Sequence, residues 1–204
     1  MSGDLQGSPA TPPTPPEGWP APRIAPGTRR DVGTFTWVFA KVSGRVTGTE
    51  PPRLFLTLGR HRKLFRGWLR FAGRLMPGGT LPRRETELVI IRVAHTCGNL
   101  YEFEHHRRLG RRAGVSEADV ERLTQGPEAD GWTFRERAIL TTADELVRTG
   151  DVSDPTWTEL RRHIDERSAI ELLLLAGHYQ MLAGVLTALR VQPDRPRRRA
   201  EPVR

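Results

Sequence analysis

Apolar residues recur every three or four positions along most of the chain, and no stretch alternates with period two for long enough to make a strand. An all-α protein is therefore expected. From Asp31, read as an N-cap, Val32, Phe35, Phe39, Val42 and Val46 fall at helical spacing. After Pro51 and Pro52 comes a short helix, a break near Gly59, and a second helix carrying Leu64, Trp68, Phe71 and Leu75. The run "PGGTLP" makes a turn. A strong helix follows, with Leu88, Ile91 and Ala94 or His95 on one face, then a junction at Gly98 and Asn99 and a helix from Leu100 to Ala113. Ser116 and Thr133 cap later helices, the second with Glu136 three residues on, as in a capping box. Asp154-Pro155 starts a further helix, and Ser168 begins a long one that is apolar nearly all round and ends before Pro193.

Composition sets the limits of this helical body. Hydrophobic residues make up 37% of the 204. Residues 1–30 are rich in Pro, Gly, Thr and Ser and are expected to form a disordered tail. The domain is expected over 31–194, and 195–204 reads as a basic disordered tail. The early residues hold no apolar run of the kind a secretory signal needs, and the single cysteine cannot form an internal disulfide, so a cytoplasmic protein is expected. Glu171, His178 and Gln180 make Ala169 to Leu189 a buried helix rather than a membrane span. The net charge is +8, with arginines gathered at both ends and the rest interleaved with acids, so nucleic acid is not an expected partner.

The candidate chemistry lies in "RVAHTCGNLYEFEHHRRLGRRAG", from Arg92 to Gly114. Helical geometry puts Asn99, Glu102, His106 and Leu109 on one stripe, and Tyr101, His105, Arg108 and Arg112 on another that reads as wetter. His106 is then the imidazole nearer the core, with Glu102 one turn before it. A carboxylate beside a part-buried imidazole tunes it for acid–base work. Glu102 with His105 also makes one Glu-x-x-His element, but no second copy is present for a di-iron site, and no metal is expected. Arg92 is a candidate fork for a substrate carboxylate, and Asn99 and Tyr101 are grouped with it as candidate substrate-binding residues. Gly177 and Gly184, one heptad apart, would let another helix approach closely, while His178 and Tyr179 could line a cavity or simply pack.

"RRETELVIIRVAHTCGNLYEFEHHRRLGRRAGVSEADVERL" resembles the carboxymuconolactone decarboxylase family, which includes the alkylhydroperoxidase D-like proteins. The resemblance runs from about Pro51 to Pro193 and implies an alkylhydroperoxidase D-like helical bundle, commonly oligomeric. Peroxidases of that family carry a Glu, then Cys-x-x-Cys, then a His four residues after the second Cys. Aligned on His106, the cysteine positions fall on Asn99 and Glu102, and the upstream acid on Glu87. Both thiols are missing, and Cys97 lies outside the motif as a small packing residue. The resemblance thus implies cofactor-free decarboxylation or proton transfer on a small anionic lactone or carboxylate, with His106, Glu102 and Glu87 as catalytic residues in a homo-oligomer. The alternative is a peroxidase relative that lost its thiols and serves as a non-catalytic, ligand-binding helical oligomer.

Overall fold

The computed structural model describes residues 20–197. Among them the regular elements are α1 Arg29–Thr47, α2 Arg53–Leu58, α3 Arg62–Leu75, α4 Arg83–Thr96, α5 Leu100–Arg112, α6 Glu117–Gln125, α7 Phe134–Thr149, α8 Asp154–Arg161 and α9 Glu166–Leu189. The fold is all-α, as the periodicity predicts. Local chemistry sets several boundaries. The hydroxyls of Ser116 and Thr133 accept from the backbone N–H of Asp119 and Glu136, whose carboxylates reach back to the caps. Gly98, at φ 63°, turns the chain between α4 and α5, and the Asn99 side chain caps α5 by accepting from the Glu102 N–H.

Helix α4 is the axis of the molecule, with every residue from Glu85 to Ala94 buried. Leu88, Ile91 and Ala94 pack with Phe103, Leu123 and Leu140. Val89, Ile90 and Val93 join a larger cluster with Ile139 and Ala143 of α7 and Leu172, Leu175 and Leu182 of α9. A helix covered on all sides must partner each polar group it carries. Glu85 is held by Arg135 at 2.7 Å, Arg92 by Asp144 at 2.6 Å, and Glu87 by Arg83 at 2.6 Å.

Several details depart from the pattern-based reading. Thr28, not Asp31, is the N-cap of α1; Asp31 is the third helical residue and completes the capping box. Gly33, at φ 80°, interrupts α1, and Arg62 donates to the carbonyls of Arg30 and Asp31 beside it. The α1 face is also turned. Val32, Thr36, Ala40 and Gly44 are buried, whereas Phe35, Val42 and Val46 stay 50–52% exposed. At the C-terminal end of the helix the crossing is close: a Cβ at Gly44 would sit 2.7 Å from the Glu50 carbonyl, so no side chain fits there. Helix α9 begins at Glu166, capped by Asp165, whose carboxylate accepts from the Ser168 N–H. Helix α3 holds Arg62, Lys63, Arg66, Arg70 and Arg74 without one acid, contrary to the expected interleaving.

The expected tails reach beyond their described parts. Residues 1–19 and 198–204 lie outside the described residues. Residues 20–30 and 195–197, assigned to the tails by composition, are instead tied to the body by backbone bonds. Arg23 N–H donates to Leu189, Gly27 N–H to Leu56, Glu50 N–H to Arg195 and Arg197 N–H to Gly48. Helix α9 is long and apolar enough to cross a membrane, and 44% of its most apolar window is buried against the other helices.

Candidate active site

The spacing on α5 places Glu102 one turn before His106, and α4 supplies Glu87 from the other side. His106 Nδ1 lies 2.7 Å from Glu87 Oε2, and Nε2 lies 3.3 Å from Glu102 Oε2. The three side chains are at most 3% exposed. The other Glu87 oxygen accepts from Arg83 Nη2 at 2.6 Å. Burial alone would strip the proton from the ring. The Glu87 charge, with the hydrogen bonds to Glu102 and Glu87, outweighs it and lifts the His106 pKa to about 9. At neutral pH this is an imidazolium clamped between two carboxylates. Both acids are partners of the ring, a choice the spacing left open.

Beside the ring is a cavity of about 280 Å³. Glu102, His105, His106 and Tyr179 face it, and Phe39, Phe55, Trp68, Leu69, Met76 and Leu182 make its apolar walls. The Tyr179 ring meets His106 edge-on, with centroids 5.0 Å apart. Glu102 Oε1 is buried with no hydrogen-bond partner among the described residues. A buried carboxylate oxygen left without a donor is costly, and a ligand proton would satisfy it. Tyr179 was one of two readings in the sequence; Trp68, Phe55 and Met76 carried no signal beyond helical periodicity.

The other candidates sit elsewhere. Arg92 is 4% exposed, and its guanidinium is used up by Asp144, at 2.7 and 2.6 Å, and by the Leu123 carbonyl at 2.6 Å. It is a structural fork and not a substrate anchor. Asn99 caps α5 through its oxygen and donates its amide to the Ala183 carbonyl and Thr187 Oγ1, at 3.0 and 3.1 Å. Tyr101 is 3% exposed, donates to Asp194 at 2.9 Å and accepts from Leu54 N–H at 3.3 Å. Asn99 and Tyr101 line a different, more open hollow with Arg190 and Val191. The stripe read as wetter is therefore dry at Tyr101 and at His105, which is 7% exposed, because the segment bearing Asp194 covers it. His178 packs against Trp68 and Phe71 instead of facing the cavity. Cys97 packs on the core outside the cavity, and burial pushes its thiol pKa up. Among the described residues no group of three or more His, Cys, Asp or Glu is placed to hold a metal ion.

The sequence model of the carboxymuconolactone decarboxylase family matches residues 62–145, which contain the whole Glu87–Glu102–His106 cluster. The alkylhydroperoxidase AhpD core from Ralstonia eutropha JMP134, an uncharacterized peroxidase-related protein, is similar in structure, with a TM-score of 0.75 at 18% identity over 85% of this chain and 93% of that one. A peroxidase-related protein from Silicibacter sp. TM1040 gives 0.72 at 18% identity, over 90% and 95%. The debrominase Bmp8 gives 0.72 at 19% identity, over 83% and 91%. Identities this low speak for the fold alone. No curated protein matches the chain. Residues 62–145 thus match the model of the carboxymuconolactone decarboxylase family, and the chain around them has the fold of the AhpD-like proteins.

Proposed function

We propose that the protein is an enzyme whose His106 cavity transfers protons on a small carboxylate-bearing molecule, with decarboxylation as one form of that chemistry. The observation that carries this reading is the state of Glu102. One of its oxygens faces the His106 ring, and the other is buried, unpartnered, on a residue of the cavity wall. Glu102 Oε1 is placed to take a proton from a substrate carbon made acidic by a neighbouring carbonyl. His106, charged and steadied by Glu87, returns one at a second atom when its Nε2 proton leaves Glu102 for the substrate. If carbon dioxide leaves instead, the electron pair of the broken C–C bond stays on carbon, the His106 proton goes to that carbon, and solvent recharges the ring. The apolar, aromatic walls favour a flat or unsaturated substrate body and keep water from competing. No cofactor is required for these steps.

Thiol peroxidase chemistry has less support. It needs an attacking and a resolving thiol, and the sequence holds one cysteine, whose side chain does not line the cavity. The test is a screen of anionic lactones and β-keto acids, comparing the native chain with His106→Gln and Glu102→Gln. Both variants should keep a cooperative thermal transition and lose about 10²–10⁴-fold in kcat/KM. Turnover that survives in the His106 variant would falsify the assignment.

We further propose that copies of the chain assemble through α9. Ile170, Leu174 and Met181 are 59%, 47% and 49% exposed. With Gly177 and Gly184 they step by four and three residues, the spacing of a helix-pairing seam. At both glycines the space where a Cβ would stand is open, which leaves room for a second helix backbone.

A further inference from the structure

One stripe of α3, comprising Arg66, Leu69, Arg70 and Gly73, runs from open surface to the cavity. Leu69 and Gly73 line the cavity; Leu69 also lines an adjoining hollow of about 450 Å³ with Phe35, Arg66 and Arg70. On α1, Phe35 in the hollow and Phe39 in the cavity stack with centroids 6.4 Å apart, so the second wall is continuous as well. The Arg66 guanidinium lies 5.6 Å from the centre of the Phe35 ring. Arg84, Arg107 and Arg135 are paired with carboxylates, whereas neither Arg66 nor Arg70 has a carboxylate in ion-pairing range among the described residues.

We infer that Arg66 and Arg70 form the mouth of the His106 cavity and receive the carboxylate of its substrate. This rests on the reading of the cavity as a substrate site, and it supplies the anchor that Arg92 does not. The path has a polarity. Its inner end holds Glu87 and Glu102, and its outer end two guanidinium groups with no carboxylate partner among the described residues. A negative group is repelled from the first and drawn to the second. A monocarboxylate therefore enters uncharged end first and brings that end to Glu102 and His106. Its carboxylate stays outside on guanidinium groups whose planar forks match it. The group held at the mouth is kept and the bond changes occur at the far end, so this orientation selects proton transfer over loss of the anchored carboxylate as carbon dioxide. Two positively charged side chains one helical turn apart repel each other when empty, which leaves them ready for an anion.

Calorimetric titration with cinnamate and its neutral amide tests this without turnover. The native chain should bind cinnamate about tenfold more tightly than cinnamamide, and added salt should shrink the difference. In the double variant Arg66→Gln/Arg70→Gln the two affinities should come within about twofold, with the amide unchanged, and Arg70→Glu should favour the amide. Equal affinities in the native chain, absence of binding by both compounds included, overturn the inference, as does a carboxylate preference that survives the double variant. Failure of the proton-transfer reading shows separately, as unchanged turnover in the His106 variant.

Discussion

An imidazole held by two carboxylates keeps its second proton to high pH, and that proton is linked to folding. The His106 pKa is about 9 in the folded chain against 6.5 for an ordinary imidazole. Below about pH 6.5 both folded and unfolded chains carry the proton, and the stabilisation is fully present. As pH climbs toward 9 the unfolded chain has released it and the folded one has not, so stability falls across that window and levels off above it. The loss is on the order of a few kcal/mol, a drop of several degrees in Tm. Thermal melts at pH 6.5 and 9.5 should show this drop in the native chain and a much smaller one in His106→Gln; equal drops would count against the charged ring. At this scale the sequence was only half legible. The spacing of Glu102 and His106 announced their contact, but Arg92 looks the same whether it meets a substrate or Asp144. Its partner stands 52 residues away.

At the scale of elements, one carboxylate connects the turn after α3 to α9. Glu171 accepts from Thr80 N–H at 2.6 Å, Thr80 Oγ1 at 2.5 Å and Leu81 N–H at 3.0 Å. That turn starts at Met76 and Pro77, which line the cavity together with Tyr179 of α9. Glu171→Ala should cost about 1–3 kcal/mol in urea unfolding and weaken binding of cavity ligands, since two walls lose their shared tie. Stability and ligand affinity both within error of the native chain would show the tie to be idle. Helix caps set by neighbouring residues, such as Ser116 and Thr133, were readable from the sequence. The inward face of α1 was only partly readable, because it depends on the close crossing of Gly44 by the Glu50 backbone, and apolar periodicity picks Val32 and Phe39 correctly but also the exposed Phe35, Val42 and Val46.

For the whole molecule, assembly through α9 is the expectation to measure. Light scattering on the native chain should report more than one copy, and Leu174→Glu or Met181→Glu should dissociate it by putting charge on the seam. A native chain that stays monomeric at micromolar concentration would remove α9 as an interface. All-α architecture and the location of the imidazole could be read from the sequence; the covering of His105 could not, because it depends on Asp194, 93 positions beyond Tyr101. Distance along the chain also has a consequence in time. A nascent chain leaving the ribosome exposes α5 long before residue 194 emerges, so Tyr101 and His105 wait uncovered until synthesis has passed that point. Chaperone contact with the nascent chain should therefore concentrate on α5 around Tyr101 and His105, and end once Asp194 docks.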